Sequence, residues 1–573
     1  MALVLVATPF LFPAKQTAPG IVNPIADSLR VTDSGNTAAN PGGAPGSGAT
    51  GNVSGVPNPA GGSNEGTNGV ANALAGTSMS AAPDSTAVPV VPIDTGVIAT
   101  ANAVYRTTNM GARLIGASMT RYPVLSNGGR TKGAAAELAV DGDALLSYRL
   151  VVPGDTIRLD RERFRTTHTT EGNHTVVRYD ATVAARAVTI TYSFLPDSYR
   201  VNVSAAVAGA PSNSYLLVSL PPAFQSAEVD PQEDYSHLAY AYKPELNGAD
   251  KVSFGSVDPG EREIAKGPLA WAVAKNKYFM LGILTPVGQP GFAELDVVGG
   301  VRTDKKANRA SATAVIPLVN GNTAFEVYAG PQEFKRLVAM GREFESSNPY
   351  GGFLQGIIQP FATMVIRLLL WMKATLGLGY GWILVIFGVA VRIILWPLNQ
   401  KAMRSSLAMQ RLQPELSAIQ AKHKGDPQKL QSELTRVYKE HGMSPFSSLS
   451  GCLPMLIPMP VFFALFFVFQ NTIEFRGVSF LWLADISIKD PFYALPILVA
   501  ITAMLLSYIG MKGVKANEQQ KMMMYIMPAM MLFIFLNMAA GLNLYYFIQN
   551  LASLPQQWLI SRERGRVMPL VKG

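Results

Sequence analysis

The side chain with the most chemical potential in this sequence is a cation surrounded by oil. Residues 384–398 read LVIFGVAVRIILWPL, which places Arg392 inside an apolar run long enough to cross a bilayer. Such a cation costs about 2.5–3.5 kcal/mol at a helix centre on insertion scales, so an intramembrane arginine reads as a functional site by default. Arg392 lies six residues before Leu398, about 9 Å at 1.5 Å per residue, so its guanidinium can also reach the surface by snorkelling. The apolar segments hold no Asp, Glu or Lys to neutralise it, so water, hydroxyls and amides must solvate it. The chemistry open to it is electrostatic: drawing in a polar or acidic group and letting it go.

The last apolar segment offers partners. Asn543, Tyr546 and Asn550 fall at i, i+3 and i+7, on one helical face, with Gln549 beside them. Helix–helix adhesion explains the same pattern equally simply. Seven methionines crowd residues 522–538, either as an adaptable apolar surface or as lipid-facing filler. Other chemistries are poorly served. A single cysteine, Cys452, allows neither an internal disulfide nor a cysteine-based metal site, and the five histidines show no HxxxH spacing. The chain is expected not to be an enzyme and to need no cofactor.

These residues must be positioned by a chain of 573 residues that is only 15% charged, with a positive mean hydropathy of +0.19. That profile fits a membrane protein carrying a water-soluble part. The net charge of +9 is gathered beside apolar runs, not in a nucleic-acid-binding stripe. Residues 1–20 open with MALVLVATPFLFP, shorter than the ~20 residues of a full span, and read as a truncated first transmembrane segment. Residues 21–95 are a Gly/Pro/Ser/Asn-rich tract without enough apolar surface to order itself, hence a disordered linker. From 96 to 343 the period becomes two: Val188, Ile190, Tyr192 and Phe194 alternate with polar residues. After LPDS, Tyr199, Val201, Val203 and Ala205 do the same. Further runs at 215–220, 271–274, 278–284, 312–318 and 323–328 predict an all-β sandwich.

Residues 344–378 form an amphipathic segment, because Gln355, Gln359, Thr363 and Arg367 recur at every fourth position; it suits the membrane interface. Residues 379–562 hold the apolar core, with spans expected at 382–398, 453–470, 492–511 and two within 522–560, divided at Ala539-Ala540-Gly541. Loop charge orients them. Residues 401–443 carry eight Lys/Arg against four Asp/Glu and are expected inside, as is the basic tail 563–573. Residues 471–490, with two basic and three acidic, are expected outside. The 401–443 loop itself predicts a helical hairpin: Leu412, Leu416 and Ile419, then Leu430, Leu434 and Val437, keep helical spacing, and Asp426-Pro427 opens the second helix.

In this order, RIILWPL, MQRLQPEL, GCLPMLIPMPVFFAL and AGLNLYYFIQNL resemble the YidC-type membrane protein insertase family, over about 344–562. AKGPLAWAVAKNKYFMLGILTP and AGPQEF resemble the periplasmic β-supersandwich of its Gram-negative members. The resemblance implies an α-helical polytopic protein: a five-helix core plus an N-terminal transmembrane segment, with an all-β periplasmic domain. It implies a cytoplasm-open hydrophilic groove, with groove positions at Arg392, Met459, Phe462 and Tyr546; Tyr545 and Asn550 on the last helix complete the expected substrate groove. The implied partners are nascent membrane proteins, the Sec translocon, a ribosome or targeting factor at the hairpin and basic tail, and the lipid bilayer of the bacterial inner membrane. No specific nucleic-acid sequence is implied. Two departures stand out: Gly388 where some members carry threonine, and Pro458 in place of glutamine. The competing expectation is a secondary transporter or channel with a carbohydrate-binding-like outer domain, which would show internal repeats or paired carboxylates at a cleft.

Overall fold

The computed structural model describes residues 91–129, 131–302, 306–348, 355–401, 459–511 and 518–567, with 403, 415–416, 418–419, 421–423 and 425–440 between them. The expectations for residues 1–20, for the linker up to residue 90, for GCLPMLIP and for the end of the tail lie outside the described residues.

Strict alternation becomes a large antiparallel sandwich. The strands Arg186–Phe194 and Arg200–Val207 pair with Val203 opposite Tyr192 and Ala205 opposite Ile190, so one face of the hairpin is wholly apolar and buried. Four strands spanning Thr95–Glu137 make one sheet, and fourteen strands make the other. Their shared core is rich in aromatic residues. Trp271, Tyr148, Tyr192 and Tyr240 are fully buried, which is tolerable because their polar atoms are satisfied. Tyr148 and Tyr192 share a hydroxyl contact of 2.7 Å, and Tyr240 donates to the Pro221 and Ala310 carbonyls.

Seven longer helices follow among the described residues: α1 (Gln355–Leu376), α2 (Tyr380–Ile394), α3 (Pro427–Glu440), α4 (Met459–Asn471), α5 (Ala494–Met511), α6 (Glu518–Phe535) and α7 (Ala540–Val567). Helix α1 ends at Gly377, whose φ of 68° supplies the left-handed turn, and its N–H closes on the Lys373 carbonyl. There the chain bends by 117° into α2. Helix α5 is the one described helix long and apolar enough to cross a membrane by itself; α1 and α2 pass that test only as a bent pair. Asp490 caps α5 by accepting from the Leu495 N–H at 2.8 Å. The turn between α6 and α7 is pinned to the loop between α4 and α5, with Ala540 and Gly541 donating to the Ile488 and Ile486 carbonyls. In the hairpin, Asp426 accepts from the Lys429 N–H at the start of α3, and Leu416, Ile419, Leu434 and Val437 form a small core.

The polar stripe of α1 faces the sandwich. Gln355 donates to the Ala249 carbonyl, Gln359 to the Asn348 carbonyl, and the Arg367 guanidinium lies over the Phe334 ring. An exposed apolar stripe, Phe361, Met364, Leu368 and Trp371, runs beside it. The outer loop after α4 also enters the sandwich. Ile473 is buried in the sandwich core, while Phe475, two residues on, is buried among the helices. Arg476 then inserts fully. Its Nε donates to Glu228 at 2.7 Å, and its Nη2 donates to the Pro123 and Ala227 carbonyls; the two charged side chains are 3% and 8% exposed. Reading residues 21–95 as a linker leaves the sandwich a tethered module; the structure docks it on the helices through a buried ion pair.

Beside this pair, Glu474 accepts from the Phe334 N–H while its other oxygen has no partner among the described residues. Burial, aided by the nearby Glu333 carboxylate, pushes its carboxyl up to about 7. Docking therefore takes up a proton, so its contribution is full below the ordinary glutamate range near ~4.3 and is lost as pH rises through 7. Removing one partner of a buried ion pair costs about 3–5 kcal/mol. Arg476→Ala is expected to release the sandwich, read as faster limited proteolysis around residue 350 in detergent. In the wild type, cleavage there should be slower at pH 6 than at pH 8; burial also pushes the Glu228 carboxyl up to about 7, so Glu474→Gln should reduce that difference without abolishing it. Equal cleavage of wild type and Arg476→Ala would contradict the docking role.

Candidate functional site

Helix α7 is the spine of the helical part: it packs against α2, α5 and α4, while α1 packs on α4 and α6 on α5. Its contact with α2 is close because Gly388 presents no side chain. A Cβ there would stand 3.1 Å from an Ile548 methyl carbon and 3.6 Å from Tyr545. Gly388 thus lets these two helices meet, one turn before Arg392.

At that seam Arg392 is half-buried. Its Nη2 donates to Gln556 Oε1 at 2.6 Å, and Gln556 Nε2 donates to the Trp396 carbonyl at 3.0 Å. Its Nε is buried without a partner among the described residues. Among the described residues, one neutral amide holds the cation. Gln556 lies just after Pro555, about 9 Å along α7 from Asn550 at 1.5 Å per residue, and it is 1% exposed. Sequence reasoning missed it: Gln556 is one of several polar residues on α7, and only the crossing with α2 shows which of them reaches Arg392.

The polar groups expected to solvate Arg392 are used elsewhere. Asn543 is buried and donates to the Phe535 carbonyl, fastening α7 to the end of α6. Asn550 donates to Thr502 Oγ1 at 3.1 Å and to the Val499 carbonyl, fastening α7 to α5. Gln549 donates to the Tyr545 hydroxyl at 2.8 Å. The aromatic members do assemble. Phe462 meets the Tyr546 ring edge-on at 5.3 Å, Phe535 lies 5.0 Å from Tyr546, and Tyr545 sits 5.5 Å from Tyr546 and 5.7 Å from Phe387 of α2. Met459 stands half-buried at the first described turn of α4. Of the methionines, Met522 and Met530 are exposed, whereas Met531 and Met538 pack against the helical core.

Elsewhere, a cleft of about 620 Å³ on the sandwich is lined by Arg178, Thr189, Thr191, Ser204, Gln289 and Asn322 among others, and holds no carboxylate. No group of three metal-ligating side chains occurs among the described residues.

Comparison with known proteins decides the family. The model of the 60Kd inner membrane protein matches residues 371–566, and that of the YidC periplasmic domain matches 97–364. A membrane protein insertase YidC from Pelodictyon phaeoclathratiforme is 34% identical over 409 residues, covering 67% of this chain and 68% of the relative. The chain belongs to the YidC membrane protein insertase family. A second YidC, from Chlorobium phaeovibrioides, is 34% identical over 420 residues, covering 69% of this chain and 70% of its own. A solved structure of an active YidC insertase with its first transmembrane domain resolved aligns with 82% of this chain and 94% of its own, at 18% identity and a TM-score of 0.34. As a YidC family member, the chain pairs an inner-membrane helical part with a periplasmic β-domain.

The Asn550 contacts make a clear expectation. Interhelical hydrogen bonds in membranes are worth about 0.6 kcal/mol on average. Asn550→Ala is therefore expected to lower the unfolding midpoint in detergent slightly and to reduce insertion only in proportion. A large loss of insertion at unchanged stability would instead make Asn550 a substrate contact.

Proposed function

We propose that this chain inserts and folds nascent integral membrane proteins in the bacterial inner membrane, alone or beside the Sec translocon. The observation that carries the reading is Arg392: a guanidinium between two apolar helices, partnered by an amide and by no carboxylate among the described residues. A fixed counter-ion would spend the charge on structure. An amide leaves most of it available to a client. In this reading five core helices frame a groove open to the cytoplasm, with Arg392 as its charge, Met459, Phe462, Tyr545 and Tyr546 along its course, and Asn550, expected there from the sequence, fastening its wall. A short polar segment enters the groove, which shortens its path through hydrocarbon, while apolar segments pass along the greasy flank into lipid. The membrane potential assists acidic segments by about 2.3 kcal/mol per charge per 100 mV.

The remaining parts take supporting roles. Helix α1, with its exposed Phe361, Met364, Leu368 and Trp371 stripe, lies in the outer interface under the sandwich, and the bend at Gly377 then turns the chain across the membrane. One crossing there puts the basic 401–443 hairpin in the cytoplasm by the positive-inside rule, where it and the basic tail meet a ribosome or targeting factor.

Purified protein in liposomes, supplied with small nascent membrane proteins, tests the reading. Arg392→Ala is expected to weaken insertion most for clients with acidic translocated tails and least for nearly apolar ones. Arg392→Lys keeps the charge without the guanidinium fork and is expected to retain more insertion than Arg392→Ala, with its shortfall largest on acidic clients. An alanine variant equally active on every client would reduce Arg392 to a snorkelling anchor. A separate deletion of 410–440, replaced by a short flexible linker, should impair insertion while the membrane core stays folded; full activity would make the hairpin a spacer.

A further inference from the structure

The geometry points to Gln556 as a placeholder on the arginine: it occupies one tooth of the guanidinium fork at rest and is displaced when a carboxylate of a client takes both. This rests on the groove reading of Arg392 and adds the residue that sets which clients engage.

The argument starts from how a guanidinium binds. Its Nε–H and one Nη2–H point the same way and form a fork that matches the two oxygens of a carboxylate. In this structure Gln556 Oε1 accepts from Nη2 at 2.6 Å, yet the adjacent Nε is buried and has no partner among the described residues. One amide oxygen fills half of a two-toothed site. The amide is also prevented from turning. Its Nε2 donates to the Trp396 carbonyl at 3.0 Å, and a flip would aim an NH2 group at the guanidinium and an oxygen at a carbonyl. Gln556 therefore presents its acceptor to the arginine in a single orientation.

This arrangement selects. A neutral amide keeps a buried cation tolerable but binds it more weakly than a carboxylate, which adds the attraction of a net charge and a second parallel hydrogen bond on the same fork. A client carboxylate reaching the seam satisfies Nη2 and the orphaned Nε together, and so outcompetes Gln556 Oε1. A client without an acid gains little by displacing it. When the client leaves, the amide returns, still anchored by the Trp396 carbonyl. The acid is thus engaged and then released, where a resident Glu or Asp would block it.

The test uses the full-length protein in liposomes and one client in two forms, with an acidic translocated tail and with that tail's Asp and Glu changed to Asn and Gln. The readout is the ratio of insertion of the two forms, which a general loss of stability does not move. Gln556→Glu closes the fork with a resident carboxylate and is expected to lower that ratio at least about tenfold. Gln556→Leu removes the competitor and is expected to leave the ratio equal to the wild-type value or above it, even if total insertion falls. Both variants lowering the two client forms equally would overturn the inference and leave Gln556 a structural bolt between α2 and α7. Arg392→Ala is run beside them. If it shifts the ratio while Gln556→Glu does not, only the placeholder fails; if neither shifts it, the groove reading fails as well.

Discussion

Everything in the helical part is arranged around a cation that has no resident counter-ion among the described residues. Burying an isolated charge costs far more than one hydrogen bond returns, so the helices bearing Arg392 and its partner must be held tightly enough to keep that one bond made. Gly388 lets α2 approach α7, Asn550 ties α7 to α5, and Asn543 ties it to α6. These amide bonds are structural, and they free Gln556 to be the one that meets the charge. Residues of the same chemical type on a single helix thus make different contacts: Asn543 and Asn550 join helices, and Gln556 meets the charge.

A second constraint acts at the outer face. Ile473 and Phe475, two residues apart, are buried in different cores, and Arg476 completes the attachment with its pair to Glu228. The stripe of α1 that looks suited to lipid headgroups meets the Ala249 and Asn348 carbonyls and the Phe334 ring instead. The same helix still leaves an apolar stripe free, so it is bound on one side and available to lipid on another.

Period-two alternation made the sandwich legible, since a strand with one buried face leaves no alternative register: Val188 to Phe194 bury every second side chain. The cap at Asp426 and the break between α6 and α7 were legible for equally local reasons, a capping carboxylate before a proline and an Ala-Ala-Gly step in a run too long for one crossing. What local pattern cannot show is which distant group answers a charge. Arg476 and Glu228 are separated by 248 positions in a loop and a turn of unremarkable charge. Among the inward polar residues of α7, spacing alone could not say that Asn550 serves α5 and Gln556 serves Arg392, because that depends on the crossing of α2 over α7.

The most direct test of the account is whether water reaches position 392 from the cytoplasmic side. Arg392→Cys in a Cys452→Ser background would be probed with a membrane-impermeant maleimide in inverted inner-membrane vesicles. Gln428→Cys, exposed in the hairpin, serves as the reactive control, and Leu384→Cys, fully buried two turns deeper in α2, as the unreactive one. The account predicts labelling at 392 and 428 and none at 384. A position 392 as silent as 384, beside a reactive 428, would contradict it.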